Sequence, residues 1–286
     1  MSAAAALALA RTFLFVPADR PERYARALSA GTGAVIVDLE DAVAPEHKAH
    51  AREQLAEGLA GLPAADLQRL LVRVNACGTP WHDGDRALMA QLSAQGLAGV
   101  VLPKAERAVD LASMATALGP GGVLVPLIES AAGLAALDAI AGAPQVLRLA
   151  FGHLDFQADL GLSCDADEME LVPVRLALVL ATRRAALAAP IDGVTPDWRD
   201  TQRLEAEARR ARRGGFGAKL CIHPSQVATV HAALGPTADE LAWARRVRDA
   251  AQASGGGVIS LDGRMVDAPV VRLAERLLAL EAHAQS

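Results

Sequence analysis

Cysteine is scarce in this chain: there are three, Cys77, Cys164 and Cys221, far apart and with no C-x-x-C pair. That spacing suggests neither a disulfide framework nor a zinc knuckle, and a reducing, cytoplasmic setting fits best. Aromatic residues are only 3% of the chain, and much of the 52% hydrophobic fraction is alanine, a helix-rich soluble composition. Positive charge is also short. A net charge of −5 argues against a nucleic-acid binder, while leaving room for a local basic patch. No apolar run is long enough to span a bilayer, so no membrane partner is expected. The alanine-rich opening has no basic segment before it, and strand-like sequence starts directly after Arg11. It reads as a frayed or weak helix, not a targeting peptide.

What is present is an alternation. Short apolar runs at 12–16, 34–37, 70–74, 99–102, 123–128, 146–151, 189–192 and 216–222 are each followed by a turn and, up to the last, a helical stretch. The runs are continuous, not alternating, which is the pattern of strands buried on both faces of a parallel sheet. Eight such units predict an α/β (β/α)8 TIM barrel. A doubly wound open sheet would want a glycine-rich turn after its first strand, and Pro17-Ala-Asp-Arg20 is not one. The barrel is expected over 11–235. Residues 236–286 follow as a helix at about 237–253, a Gly-rich hinge at Ser254-Gly-Gly-Gly257, and a lid segment ending in an amphipathic helix. Such an appendage reads as a lid, or as an arm reaching a neighbouring subunit.

Function in a barrel gathers where strands end. Glu129 and Asp155 stand as lone carboxylates at the ends of the fifth and sixth runs. Two carboxylates with open space suit Mg²⁺, which keeps several waters. Arg73 lies inside a strand, where a charge is costly unless paired. It reads as half of an interior ion pair and as the anchor of a substrate carboxylate, for which its planar fork is shaped, and both can hold if the pair exists only when the substrate is absent. Glu40 and Asp41 either hold metal-bound water or cap the next helix. Lys104 either binds an anion or pairs with Glu106. His223 is a base, a phosphate contact or a satisfied turn residue. The basic and acidic run 203–213 reads as a solvated helix face.

The motifs Phe15-Val-Pro-Ala-Asp-Arg-Pro-Glu-Arg23, Val37-Asp-Leu-Glu-Asp-Ala-Val43, Val72-Arg-Val-Asn75, Leu102-Pro-Lys104, Ile128-Glu-Ser130, Phe151-Gly-His-Leu-Asp155 and Gly217-Ala-Lys-Leu-Cys-Ile-His-Pro-Ser-Gln226 together resemble the citrate lyase beta-subunit-like family. That family sits with the malyl-CoA lyases and the HpcH/HpaI-type aldolases. The resemblance implies Mg²⁺ on Glu129 and Asp155 and a carboxylate anchor at Arg73. It places Arg20 and Arg23, with the stretch from Lys219 to His223, near a CoA moiety. It also implies a homotrimer or hexamer in which a lid aspartate enters the neighbouring subunit as a proton-transfer group. Asp267 matches that aspartate, with Asp262 as the fallback. Ala18 stands where many relatives have glycine, and the His153-Leu154 pair varies among them.

The activity expected is Mg²⁺-dependent carbon–carbon cleavage of a 3-hydroxyacyl-CoA thioester to a keto acid and an acetyl thioester. The rivals are a CoA-independent class II aldolase on hydroxy-keto acids, a malyl-CoA thioesterase and a partner-dependent lyase subunit.

Overall fold

The computed structural model describes residues 2–253, 259–261 and 263–284. Eight parallel strands close into a barrel in sequence order, with the eighth bonded back to the first. They are β1 (Thr12–Pro17), β2 (Ala34–Asp38), β3 (Leu70–Arg73), β4 (Gly99–Leu102), β5 (Val123–Ile128), β6 (Ala150–Phe151), β7 (Ile191–Asp192) and β8 (Ala218–Cys221). Helices lie between them, so the expected TIM barrel is the fold. Every residue of β2 to β5 is buried, as continuous apolar runs require.

Alternate strand residues fill the interior. Phe13, Ile36, Leu71, Val101, Val125, Leu127, Ala150, Ile191, Ala218 and Leu220 belong to one buried cluster. The two-residue period then fixes where the next side chains go. Asp38 follows Ile36, Arg73 follows Leu71, and Glu129 follows Leu127, so three charged groups point inward at the C-terminal mouth. Asp192 and Lys219 fall on the opposite parity and face the surrounding helices.

The other end of the barrel is plugged. The opening stretch forms a packed helix, Ala3–Leu9, whose Leu7 joins the interior cluster. Arg148, 1% exposed, ties it down by donating to the carbonyls of Leu7 (3.1 Å), Ala10 (2.7 Å) and Ala189 (2.7 Å). Its guanidinium also lies 5.3 Å from the Phe13 ring centre.

Some elements differ from expectation. The sixth run pairs as a strand only at Ala150–Phe151, with an isolated bridge from Val146 to Leu124. Directly after it comes a helix, His153–Leu160, with Asp155 in its first turn and not at a strand end. Gly152 in front has no side chain to cap it, so the sequence carries no start signal there. A further helix, Gln226–Leu234, follows β8 unannounced.

Contacts divide the chain into two compact units, 1–231 and 232–286. The second contains the helix Ala238–Ala253, an antiparallel pair of β9 (Ile259–Leu261) and β10 (Arg264–Val266), and the helix Ala268–Ala284. Its core is Ala244, Val247, Val266, Ala274 and Leu277. The expected hinge at 254–257 and Asp262 lie outside the described residues. No helix among the described residues is long and apolar enough to cross a membrane.

Candidate active site

The mouth of the barrel opens into a cavity of about 410 Å³ whose lining includes Asp38, Asp41, Arg73, Glu129 and Asp155. Asp38 and Arg73 are register partners on adjacent strands, so their side chains meet. Arg73 donates Nε to Asp38 Oδ1 at 2.7 Å and Nη2 to Oδ2 at 2.6 Å. The same carboxylate accepts the amides of Glu40 (2.9 Å) and Ala42 (3.0 Å), which fixes the loop after β2 to the fork. Arg73 Nη1 is left for Glu40 and Asp41, each 3.1 Å away. Asp41 is mostly exposed, so it is the partner most easily displaced. The Phe15 ring packs 4.9 Å from the guanidinium carbon.

One guanidinium does not balance this cluster. Burial raises the Glu40 carboxyl to about 7, with Arg73 offsetting part of the effect and Asp41 and Asp38 adding to it. Burial and then the charge of Glu40 push Glu129 up to about 8, and Asp155 adds to the rise. Glu129 Oε1 accepts the Lys104 amide at 2.7 Å, while Lys104 sits in the left-handed region at φ 45°, a strained conformation for a side chain of this size. Gly152 gives Glu129 its space: a Cβ there would lie 2.4 Å from Oε2. Among the described residues no three His, Cys, Asp or Glu side chains gather in metal-holding geometry. Glu129 and Asp155 line one cavity with room for water, a pair of oxygen donors that would fit a small hard divalent cation.

The remaining candidates fall in different places. Arg20 and Arg23 are exposed beyond β1, each only loosely matched to its neighbour, Asp19 at 3.9 Å and Glu22 at 3.8 Å. His223, just after β8, stacks on Trp198 at 4.1 Å between ring centres and meets the Ser225 hydroxyl at 2.7 Å. Lys219 is not at a ligand surface. It is 1% exposed and donates to the Gly193 carbonyl (2.8 Å) and Glu207 (3.2 Å), because its parity turns it into the helix layer. That also corrects the reading of 203–213 as wholly solvated, since Glu207 is 3% exposed. Asp267 belongs to the second unit, where Oδ1 accepts the Val270 amide at 3.3 Å at the start of the last helix. Asp38 and Gly152 are site residues that motif reading passed over. The parity of β2 against β3 would have found Asp38.

The class the fold and site define is a parallel α/β barrel with an acid-rich mouth, where Asp38, Glu40 and Asp41 meet Arg73 and Glu129 and Asp155 line the same cavity. The chain belongs to the HpcH/HpaI aldolase/citrate lyase family, whose model matches residues 11–224. It is 39% identical over 279 residues to a citrate lyase subunit beta-like protein of Mycobacterium tuberculosis, covering 96% of each chain. It is 32% identical over 272 residues to a (3S)-malyl-CoA thioesterase of Cereibacter sphaeroides, covering 94% of this chain and 93% of that one. Among solved structures it resembles protein CitE of Mycobacterium tuberculosis in complex with magnesium, acetoacetate and coenzyme A. That match has a TM-score of 0.82 and 36% identity over 95% of this chain and 98% of that one.

Proposed function

We propose that the protein is a Mg²⁺-dependent carbon–carbon lyase that cleaves, or in reverse forms, a 3-hydroxyacyl-CoA thioester of the malyl, citramalyl or citryl kind. One observation carries the reading: Glu129, buried and raised to about 8, shares a cavity with Asp155 and Arg73, a site short of positive charge. The likeness to a structure holding magnesium and coenzyme A supports it. Glu129 and Asp155 would hold the ion, which when bound supplies Lewis-acid stabilisation of the alkoxide, typically several kcal/mol.

Arg73 receives the substrate carboxylate on Nη1 in place of Asp41, while Asp38 keeps the fork oriented. Glu40, matched to neutral pH, takes the hydroxyl proton. The electron pair of the broken carbon–carbon bond stays with the thioester's α-carbon, and the hydroxyl oxygen becomes the keto oxygen. Asp267 of the partner subunit then returns a proton to that carbon, within a homotrimer or hexamer. Arg20, Arg23 and His223 face the CoA phosphates, and the setting is the cytoplasm.

A coupled assay with citramalyl-CoA and malyl-CoA, following keto acid and free thiol separately, tests the reading. Keto acid without thiol is the expected result, abolished by EDTA; turnover surviving metal removal sinks it. The (3S)-malyl-CoA thioesterase relative favours a second reading, in which water attacks the acyl carbon. Thiol without keto acid would establish that one. Mixing inactive Glu129→Gln and Asp267→Asn proteins should regain activity if the aspartate acts across subunits.

A further inference from the structure

Lys104 is exposed and takes no part in the proposed reaction, yet its backbone adopts the left-handed conformation, at φ 45°, beside Glu129. We infer that Lys104 is a positioning residue that acts through its main chain: its amide holds one oxygen of Glu129, so that a single oxygen is presented to the cation. That presentation favours Mg²⁺ over Ca²⁺. The assignment rests on the lyase reading and deepens its metal site.

A side chain in the left-handed region persists only where its surroundings over-determine it. Here they do. The Lys104 amide donates to Glu129 Oε1 at 2.7 Å, the Ala105 amide to the Leu127 carbonyl at 3.2 Å, and the Ser130 hydroxyl to Glu106 Oε1 at 2.7 Å. Successive residues of the loop after β4 are thereby stapled to the end of β5. Ala105 is buried, and its carbonyl leaves no room for a side chain at Gly133, where a Cβ would come within 2.7 Å. Ser130 also caps the helix Ala131–Ala135 by accepting the Gly133 amide at 3.1 Å.

The other oxygen of Glu129 is placed from the opposite side. Oε2 is the atom nearest to where a Cβ on Gly152 would stand, 2.4 Å away, so it lies over the segment that leads into Asp155. The carboxylate therefore sits between an amide and a glycine, with Oε1 committed to the amide. The helix carrying Asp155 is fixed to the same frame, because Asp159, one turn on, accepts the Ala131 amide at 2.8 Å. The Lys104 side chain stands outside the cavity lining, which leaves the main chain as the part that reaches the site.

Ca²⁺ favours carboxylates that can offer both oxygens and sites that can flex, whereas Mg²⁺ takes single oxygens and keeps its waters. Holding Oε1 on the Lys104 amide removes the two-oxygen mode from Glu129. A change that swings the amide away should restore it.

The test separates the backbone of residue 104 from its charge. Lys104→Gly and Lys104→Val remove the same ammonium group, but glycine adopts positive φ freely and a β-branched residue resists it. Mg²⁺ and Ca²⁺ are titrated calorimetrically into the metal-free protein, without substrate, at one pH at which Glu129 is ionised. Lys104→Gly should keep the Mg²⁺ affinity within about twofold, while Lys104→Val should weaken it by about 10–100-fold. Ca²⁺ should lose less in the valine protein, so its preference for Mg²⁺ should fall. Lys104→Ala, less strained than valine, should lie between the two and keeps the test readable if the valine protein does not fold. Ala186→Val puts similar strain at φ 55°, at an exposed position outside the cavity lining, and should leave both affinities unchanged.

Equal losses in Lys104→Gly and Lys104→Val would show that the ammonium group acts, and would overturn the assignment. Unchanged Mg²⁺ affinity in the valine and alanine proteins would overturn it as well, with the lyase reading left standing. Equal losses for the two cations would overturn the preference for Mg²⁺. Wild-type protein that binds no Mg²⁺ would overturn the lyase reading and this assignment together.

Discussion

Two buried charge clusters occupy this barrel, and they differ in balance. At the mouth, three carboxylates meet Arg73 and two more line the same cavity, and Glu40 and Glu129 have their pKa values raised, to about 7 and about 8. In the helix layer, Glu168, Asp192 and Glu207 are met by Arg175, Arg203, Arg210 and Lys219. Burial alone would raise Asp192 there as well, but Lys219 and Arg175 outweigh it and hold the carboxyl below its ordinary range. Glu207 is likewise held low against burial, by Lys219, Thr195 and Arg203. Burial pushes the carboxyls up in both clusters, and the neighbouring charges decide the sign. The lowered carboxylates belong to a network whose cations match its acids, and the raised ones to a cluster in which acids outnumber cations.

The contrast can be broken most sharply at Glu129. Glu129→Gln should cost about 10³-fold in cleavage, as should Asp155→Asn. Yet Glu129→Gln should leave the metal-free protein as stable as before or more so, because it removes a carboxylate that folding forces into a site short of positive charge. A lower Tm without metal would refute the cation-deficit account. Glu207→Ala should do the reverse. It strands Lys219 in the interior and should destabilise by about 3–5 kcal/mol in denaturant titration, with kcat/KM per folded molecule changed only a few-fold.

Asp38→Asn probes the link between the mouth and its one cation. It should raise the keto-acid KM by about 10–100-fold, with a smaller loss in kcat, because Asp38 orients the fork and does not touch the reacting bond. An unchanged KM would show that Arg73 holds its position without help.

The gentlest test is pH. Glu129 and Glu40 have folded values of about 8 and about 7, above the 4.5 of a free glutamate. A raised carboxyl favours the folded state while protonated. Its contribution is full below about pH 4.5 and is lost as pH climbs through about 7 to about 8. The metal-free Tm should therefore fall across that window, and Glu129→Gln should flatten the slope. Mg²⁺ affinity should rise by about tenfold per pH unit wherever binding displaces one proton. Calorimetry in buffers of different ionisation enthalpy would count those protons.

Much of the mouth was legible because its groups stand at strand ends. Glu129 follows six apolar residues and precedes Ser130, whose hydroxyl accepts the Gly133 amide at 3.1 Å. Asp155 was placed in the right motif but on the wrong element, since no capping residue announces the helix His153–Leu160. Lys219 was misassigned for a different reason. Its partner Glu207 sits in a run so rich in arginine that the whole helix read as solvated, although the parity of Ala218 and Leu220 turns Lys219 away from the mouth. Asp38 hid in an apolar strand, where its meaning depends on a partner 35 residues on. Local pattern shows where charges leave the strands; pairing across strands decides which of them face each other.

Arg148 and the β1–β8 seam also set the order in which the molecule can be completed. The bonds from Arg148 to the Leu7 and Ala10 carbonyls span 141 and 138 residues, and Thr12 pairs with Lys219. During synthesis β1 leaves the ribosome well before either partner exists, and closing loops of that length is slow. Until β8 emerges, β1 has an open edge and the Ala3–Leu9 helix has no floor to seal. The first strand of the barrel to be made is among the last to be finished.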